Sequence, residues 1–73
     1  MAYLDNVRTF ARVYELGSMS AAARDLRISA AVASSRISQL EEHLGVRLFQ
    51  RTTRMLNPTE QGQIFYAGAV RIL

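Results

Sequence analysis

Nine arginines carry the whole basic charge of this chain, and there is no lysine. The planar guanidinium forks onto phosphate or a guanine edge through paired hydrogen bonds, whereas an ammonium acts as a point charge. Placement matters more than the net charge of +3. In residues 1–26, Arg8, Arg12 and Arg24 balance Asp5, Glu15 and Asp25; in residues 57–73, Arg71 balances Glu60. The excess falls between them, where Arg27, Arg36, Arg47, Arg51 and Arg54 face only Glu41 and Glu42. A local surplus of this kind is either a solubilising face or a surface for a polyanion, and its concentration favours the polyanion. Other chemistries find little support. There is no cysteine and a single histidine, His43, with no carboxylates clustered around it, which argues against a metal site. No paired carboxylates, Ser/His/Asp set or glycine-rich phosphate loop is present, so the chain offers no catalytic machinery and no cofactor motif.

Beside the arginines lies SAAVASSRIS, residues 29–38, almost free of long side chains. Such a stretch is either an interior helix or an outer surface kept small for close approach. The elements around it bear on the choice. Leu4, Val7, Phe10, Ala11 and Tyr14 recur at spacings of three and four, which predicts an amphipathic helix over 4–16, stopped by Gly17. Ser18 and Ser20 are both candidate N-caps for a short alanine-rich helix ending near Leu26. A tight RIS connection then leads to a third helix over 30–44, capped by Ser29 and stopped by Gly45. Its apolar stripe is Ala33, Ile37, Leu40 and Leu44, which turns Ala31, Ser35, Ser38 and Gln39 outward.

The period then changes. Leu48 and Gln50, and after them Met55 and Asn57, flank a polar RTTR, predicting two short strands joined by a turn. Pro58 blocks further pairing, and Thr59 caps a last helix with Glu60 in its first turn. That helix carries Ile64, Phe65, Gly68, Ala69, Ile72 and Leu73 along one side and stops in mid-pattern, as expected of a truncated piece or of a helix completed by a partner. No apolar run approaches the roughly 18–20 residues of a bilayer span, and no signal-peptide pattern opens the chain, so the expected location is the cytoplasm.

Helix, short helix, tight turn, longer helix and hairpin is the order of a winged helix-turn-helix, mainly α with a two-stranded wing. In that architecture the second helix of the pair enters the DNA major groove by its N-terminal end. The positive excess covers that helix and the wing together. Helix pairs with short turns also serve as packing modules, so the order of elements alone leaves function open.

The stretch LEEHLGVRLFQRTTRMLNPTEQG, residues 40–62, resembles the most characteristic segment of LysR-type transcriptional regulators, and FARVYELGSMSAAARDLRIS is similar to their first two helices. The resemblance covers residues 4 to 73. It implies a DNA-binding domain over 1–58 and, over 59–73, the start of a long dimerisation helix using Ile64, Phe65, Gly68 and Ile72. It further implies a homodimer, or a tetramer in a full-length protein, on an interrupted inverted-repeat operator. A small-molecule effector would bind a separate domain that this sequence does not include.

By the same resemblance, Ala30, Ala31, Val32, Ser34 and Ser35 stand where the recognition helix meets bases, with Arg36 one residue along. The family usually places Gln, Pro, Ser and Arg at Ala30, Ala31, Ser34 and Ser35, and only Ser34 is kept. Two bidentate readers are therefore missing, which leaves hydroxyls, Arg36 and apolar contacts suited to thymine methyls. Arg54 matches the wing arginine that reaches a minor groove. Arg51 matches too, or braces the wing by pairing with a carboxylate such as Glu41. Thr52 and Thr53 either donate to phosphates or favour the turn. Ser20 and Ser29 are expected to cap helices whose N-termini can also face phosphates. A second reading is a helical dimerisation or adaptor module with weak or shape-only DNA binding, motivated by the depleted recognition helix and the apolar stripe of the last helix.

Overall fold

The computed structural model describes residues 2–51 and 56–73, and the side chains of all of these except Ala2 and Arg51. The element order is α1 (Ala2–Leu16), α2 (Met19–Leu26), α3 (Ala30–Leu44), β1 (Phe49–Arg51), β2 (Leu56–Pro58) and α4 (Glu60–Ile72). The strands pair antiparallel with Phe49 opposite Pro58, Gln50 opposite Asn57 and Arg51 opposite Leu56. This is a mainly helical winged helix-turn-helix, as the order of sequence signals implies.

α2, α3 and α4 start, and α1, α2 and α3 stop, where local chemistry satisfies the free ends. Ser29 is extended and its hydroxyl accepts from Val32 N, opening α3; Thr59 does the same for α4 through Gly62 N. Gly17 at φ 69° and Gly45 at φ 73° end α1 and α3 in the left-handed region open to glycine. The cap of α2 corrects the expectation for Ser20. Ser18, at φ −154°, accepts from Ala21 N, and Ser20 lies inside the first turn of the helix instead of capping it.

The core is built around α1, which α2, α3 and α4 all touch. Val7, Phe10, Ala11 and Val13 are buried, so the buried face of α1 is wider than a single stripe, while Leu4 at its start is 45% exposed. Three neighbours around one helix bury more than one face, which periodicity against a single neighbour does not anticipate. Phe10 is central: its ring lies 5.4 Å from those of Phe49 and Phe65 and 6.0 Å from that of Tyr14. Ile37 and Leu40 from α3, Leu48 and Phe49 from the base of the wing, and Ala69 from α4 complete the cluster. Fully burying such side chains contributes about 1.5–3 kcal/mol each before conformational entropy is counted.

Candidate nucleic-acid interface

The helix pair is set by small residues and a short turn. Ala22, Ala23 and Ala33 are buried where α2 and α3 approach each other and α1. Between them Arg27 adopts a left-handed conformation, φ 60°, its N–H donating to Ala23 and Arg24 carbonyls, and Ile28 N follows onto Ala23 O at 2.9 Å. Any residue with a Cβ pays a conformational cost at positive φ that glycine does not, so the closed turn imposes the geometry on Arg27.

This turn presents α3 as the sequence pattern requires. Ala33, Ile37 and Leu40 face inward, while Ala30, Ala31, Val32, Ser35, Ser38 and Gln39 are exposed and Ser34 and Arg36 are half-buried. SAAVASSRIS is thus both packed helix and cleared surface. The protruding part of its first two turns is alanine, serine and Val32, a relief low enough for close approach.

Charge pairing sharpens the positive surface. Arg12 is held by Glu15 at 2.7 Å and Asp25 at 2.8 Å, and Arg8 lies 4.0 Å from Asp5. The hydrogen bonds to Asp25 and then Glu15 push the Arg12 pKa further up, so this guanidinium is a fixed, neutralised part of the α1–α2 junction. By contrast Arg27 and Arg36 have no carboxylate within 4.0 Å among the described residues. Arg36 instead turns back toward α1, where its Nη1 donates to Thr9 Oγ1 at 3.3 Å.

Glu41 is a structural residue whose role the sequence shows only in part. A paired carboxylate is expected from its position; among the described residues its Oε2 also holds the main chain, accepting from Leu48 N at 2.8 Å and Phe49 N at 3.3 Å. Exposed Arg47 stands 4.0 Å away. On the other side of the wing base, Thr59 Oγ1 donates to Arg47 O at 2.6 Å and Thr59 N to Leu48 O at 2.9 Å. Gly62 completes the joint, since a Cβ there would fall 2.2 Å from the Leu48 carbonyl oxygen. The wing is therefore anchored to α3 and α4 at its root. Thr52, Thr53 and Arg54, and the side chain of Arg51, lie outside the described residues.

Of the four residues expected to dimerise, Phe65 packs against the core, whereas Ile64 is 69% and Ile72 61% exposed and Gly68 is open; Ala69, from the same apolar stripe, is buried. The helix thus divides its apolar surface. Phe65, Tyr66 and Ala69 face α1 and the core, and Ile64, Gly68 and Ile72 face out. Tyr66 adds a contact that periodicity does not foresee: its ring stacks on Tyr14 at 3.9 Å and its hydroxyl donates to Glu15 Oε2 at 2.6 Å. That bond, with the Arg12 bond second, draws the Glu15 pKa down; the same bond, with partial burial second, pushes the Tyr66 phenol up.

Helix pair, tight turn, exposed small-residue helix face and anchored two-stranded wing define the winged helix-turn-helix class. The sequence profile described as "Bacterial regulatory helix-turn-helix protein, lysR family" matches residues 4–63. The chain belongs to the LysR family. It is 47% identical over 73 residues to an HTH-type transcriptional regulator of Haemophilus influenzae, covering all of this chain and 25% of that protein. To the HTH-type transcriptional activator AaeR of Escherichia coli K12 it is 44% identical over 73 residues, covering all of this chain and 24% of AaeR. It thus spans about a quarter of the length of the curated relatives it matches. Among solved structures, the BenM DNA-binding domain in complex with benA site 1 DNA superposes with a TM-score of 0.89 at 36% identity, over 94% of this chain and 78% of that one. The CbnR DNA-binding domain–DNA complex gives 0.90 at 35%, over 94% and 79%.

Proposed function

We propose that this chain is the sequence-specific double-stranded DNA-binding domain of a LysR-type transcriptional regulator. Residues 1–58 form the DNA-binding unit, and 59–73 begin a helix that pairs two copies through Ile64, Gly68 and Ile72, with Phe65 supporting it from the core. α3 enters the major groove with Ala30, Ala31, Val32, Ser34 and Ser35 nearest the bases. Arg36 and the capped helix ends at Ser29 and near Ser20 meet phosphates, and the wing's Arg51, Thr52, Thr53 and Arg54 reach the adjacent minor groove. The observation that carries this reading is the low, exposed alanine–serine face of α3 beside the uncompensated guanidinium of Arg36. The likeness to the BenM and CbnR domains, each solved with DNA, supports it. In the whole protein the effector acts through a different domain, and the regulator works in the cytoplasm at the nucleoid.

The test is binding of this chain to a pool of duplexes with a randomised core, followed by salt titration on the selected sequence. Phosphate contacts release counterions, so log affinity must fall with log salt by about 0.9 per phosphate neutralised. Selection of a sequence with such a slope is the expected result. Association of the chain with itself but with no duplex would replace this function by the adaptor reading.

A further inference from the structure

The two buried polar residues of the described core, Asn6 and Thr9, lie three apart on α1, facing α3. Polar groups inside a core of this size cost stability unless fully bonded, and replacing both partners of such a bond by apolar groups is often neutral. Each makes one bond to α3. Asn6 Nδ2 donates to Gln39 Oε1 at 3.4 Å, and Gln39 Nε2 in turn donates to Ser35 Oγ at 3.3 Å. Thr9 Oγ1 donates to Asp5 O at 2.8 Å and accepts from Arg36 Nη1 at 3.3 Å. No buried side-chain nitrogen or oxygen among the described residues is left without a partner.

We propose that Asn6 and Thr9 are positioning residues that set the hydrogen-bonding polarity of the DNA-facing side chains of α3, Asn6 through Gln39 and Ser35, and Thr9 through Arg36. The inference rests on the DNA-binding reading above. An amide can present either end, and a hydroxyl can donate or accept. With Asn6 donating to Gln39 Oε1, the Gln39 amide turns its NH₂ end to Ser35. Ser35 Oγ then accepts from within the protein, and among the described residues nothing takes its O–H. The hydroxyl is therefore presented as a donor to an acceptor from outside.

In a major groove the acceptors are guanine O6 and N7, adenine N7 and thymine O4, whereas cytosine offers its N4 amino donor. Because Ser35 stands where the family resemblance expects an arginine, the direction of this one hydroxyl takes over the discrimination at that base pair. Arg36 differs. One of its five donors is occupied by Thr9, which lays the guanidinium along the α1–α3 seam, half-buried and without a carboxylate, so its remaining donors suit a phosphodiester oxygen.

Asn6→Asp is the decisive variant. A carboxylate at position 6 only accepts, so it turns the Gln39 amide end for end, and Ser35 must then donate inward to Oε1. Binding of the wild type, Ser35→Ala and Asn6→Asp is compared on the selected duplex and its single-base-pair substitutions. Ser35→Ala identifies the base pair concerned by losing its preference there. At that pair the wild type favours a base presenting an acceptor, and Asn6→Asp shifts the ranking about three- to tenfold toward bases presenting an amino group, the range of one hydrogen bond. The added negative charge lowers affinity for all duplexes alike and does not move the ranking. In Ser35→Ala the Asn6→Asp change has no further effect on ranking. Gln39→Glu, on the exposed side, makes the same reversal without touching the core.

For the second arm, Thr9→Val lowers affinity uniformly and reduces the salt slope by about one, while Thr9→Ser keeps both at wild-type values. A wild-type ranking in both Asn6→Asp and Gln39→Glu overturns the proposal, as does a Ser35→Ala variant with unchanged preference at every pair. Failure of the wild type to select any duplex would instead remove the DNA-binding reading itself.

Discussion

Removing the Glu41 carboxylate should loosen the wing at its root and cost a large share of the domain's stability. In Glu41→Ala the Leu48 and Phe49 N–H groups lose their acceptor, and both residues are within 1% of full burial. Each orphaned buried donor costs about 1–3 kcal/mol. The 2.8 Å bond to Leu48 belongs at the upper end of that range and the 3.3 Å bond to Phe49 at the lower. The Arg47 pair at 4.0 Å, with a 71% exposed partner, adds no more than about 1 kcal/mol. Alanine's better helix propensity returns a few tenths. The expected net loss is about 3–5 kcal/mol, against a total of about 4–11 kcal/mol for a chain of this length. Urea unfolding followed by far-ultraviolet circular dichroism measures it directly. Glu41→Gln keeps an uncharged acceptor and should lose about half as much. Glu42→Ala, exposed one residue along, should stay within about 0.5 kcal/mol of wild type. A Glu41→Ala protein that also stayed within about 0.5 kcal/mol would refute the assignment of this carboxylate as the anchor of the wing.

Other outcomes follow from the same packing. Gly62→Ala drives a methyl into the Leu48 carbonyl, so α4 or the wing root must shift; a loss of about 1–3 kcal/mol in thermal or urea unfolding is expected, against a gain of up to about 1 kcal/mol for Gly68→Ala, which meets nothing within 4 Å and improves helix propensity. The Glu15–Tyr66 bond gives opposite pH dependences at the two ends of the scale. Glu15 has its pKa lowered in the fold, so its contribution is present above the ordinary value of 4.5 and is lost as pH falls through the depressed one. Tyr66 has its pKa raised, so its contribution is present below 10.0 and is lost as pH rises through the elevated value. Urea midpoints across pH should therefore separate wild type from Tyr66→Phe at neutral pH and converge at both extremes; a constant separation would count against the bond. Charged substitutions at Ile64 and Ile72 should leave unfolding nearly unchanged, because these side chains are 69% and 61% exposed, while moving sedimentation toward the monomer if α4 pairs two copies.

Much of this molecule is local, and what is local was legible. The alternation of glycine stops with serine and threonine caps marks the helix boundaries, because a cap satisfies groups within three residues of itself. The stripe of Ala33, Ile37 and Leu40 determines by period alone which side of α3 is buried, and so leaves the alanine–serine side outward. Even the choice between Ser18 and Ser20 is a matter of one turn, settled by the backbone direction in which the chain leaves Gly17.

Contacts between elements were a different matter. Whether Phe65 points to the core and Ile64 away depends on the angle at which α4 crosses α1, which no spacing within α4 reports. Glu41 could be read as a paired carboxylate, but its partners, the Leu48 and Phe49 N–H groups, are placed by the turn of the chain after Gly45. Asn6, Thr9 and Gln39 look in sequence like ordinary polar residues on two separate helices. Only the packing of α1 on α3 brings them together, and only there does a buried amide acquire the means to direct Ser35. Period and composition alone settle which helix face is offered and how small it is; the packing of α1 on α3 sets which way its hydrogen bonds point, because that direction belongs to a pair of helices and to neither alone.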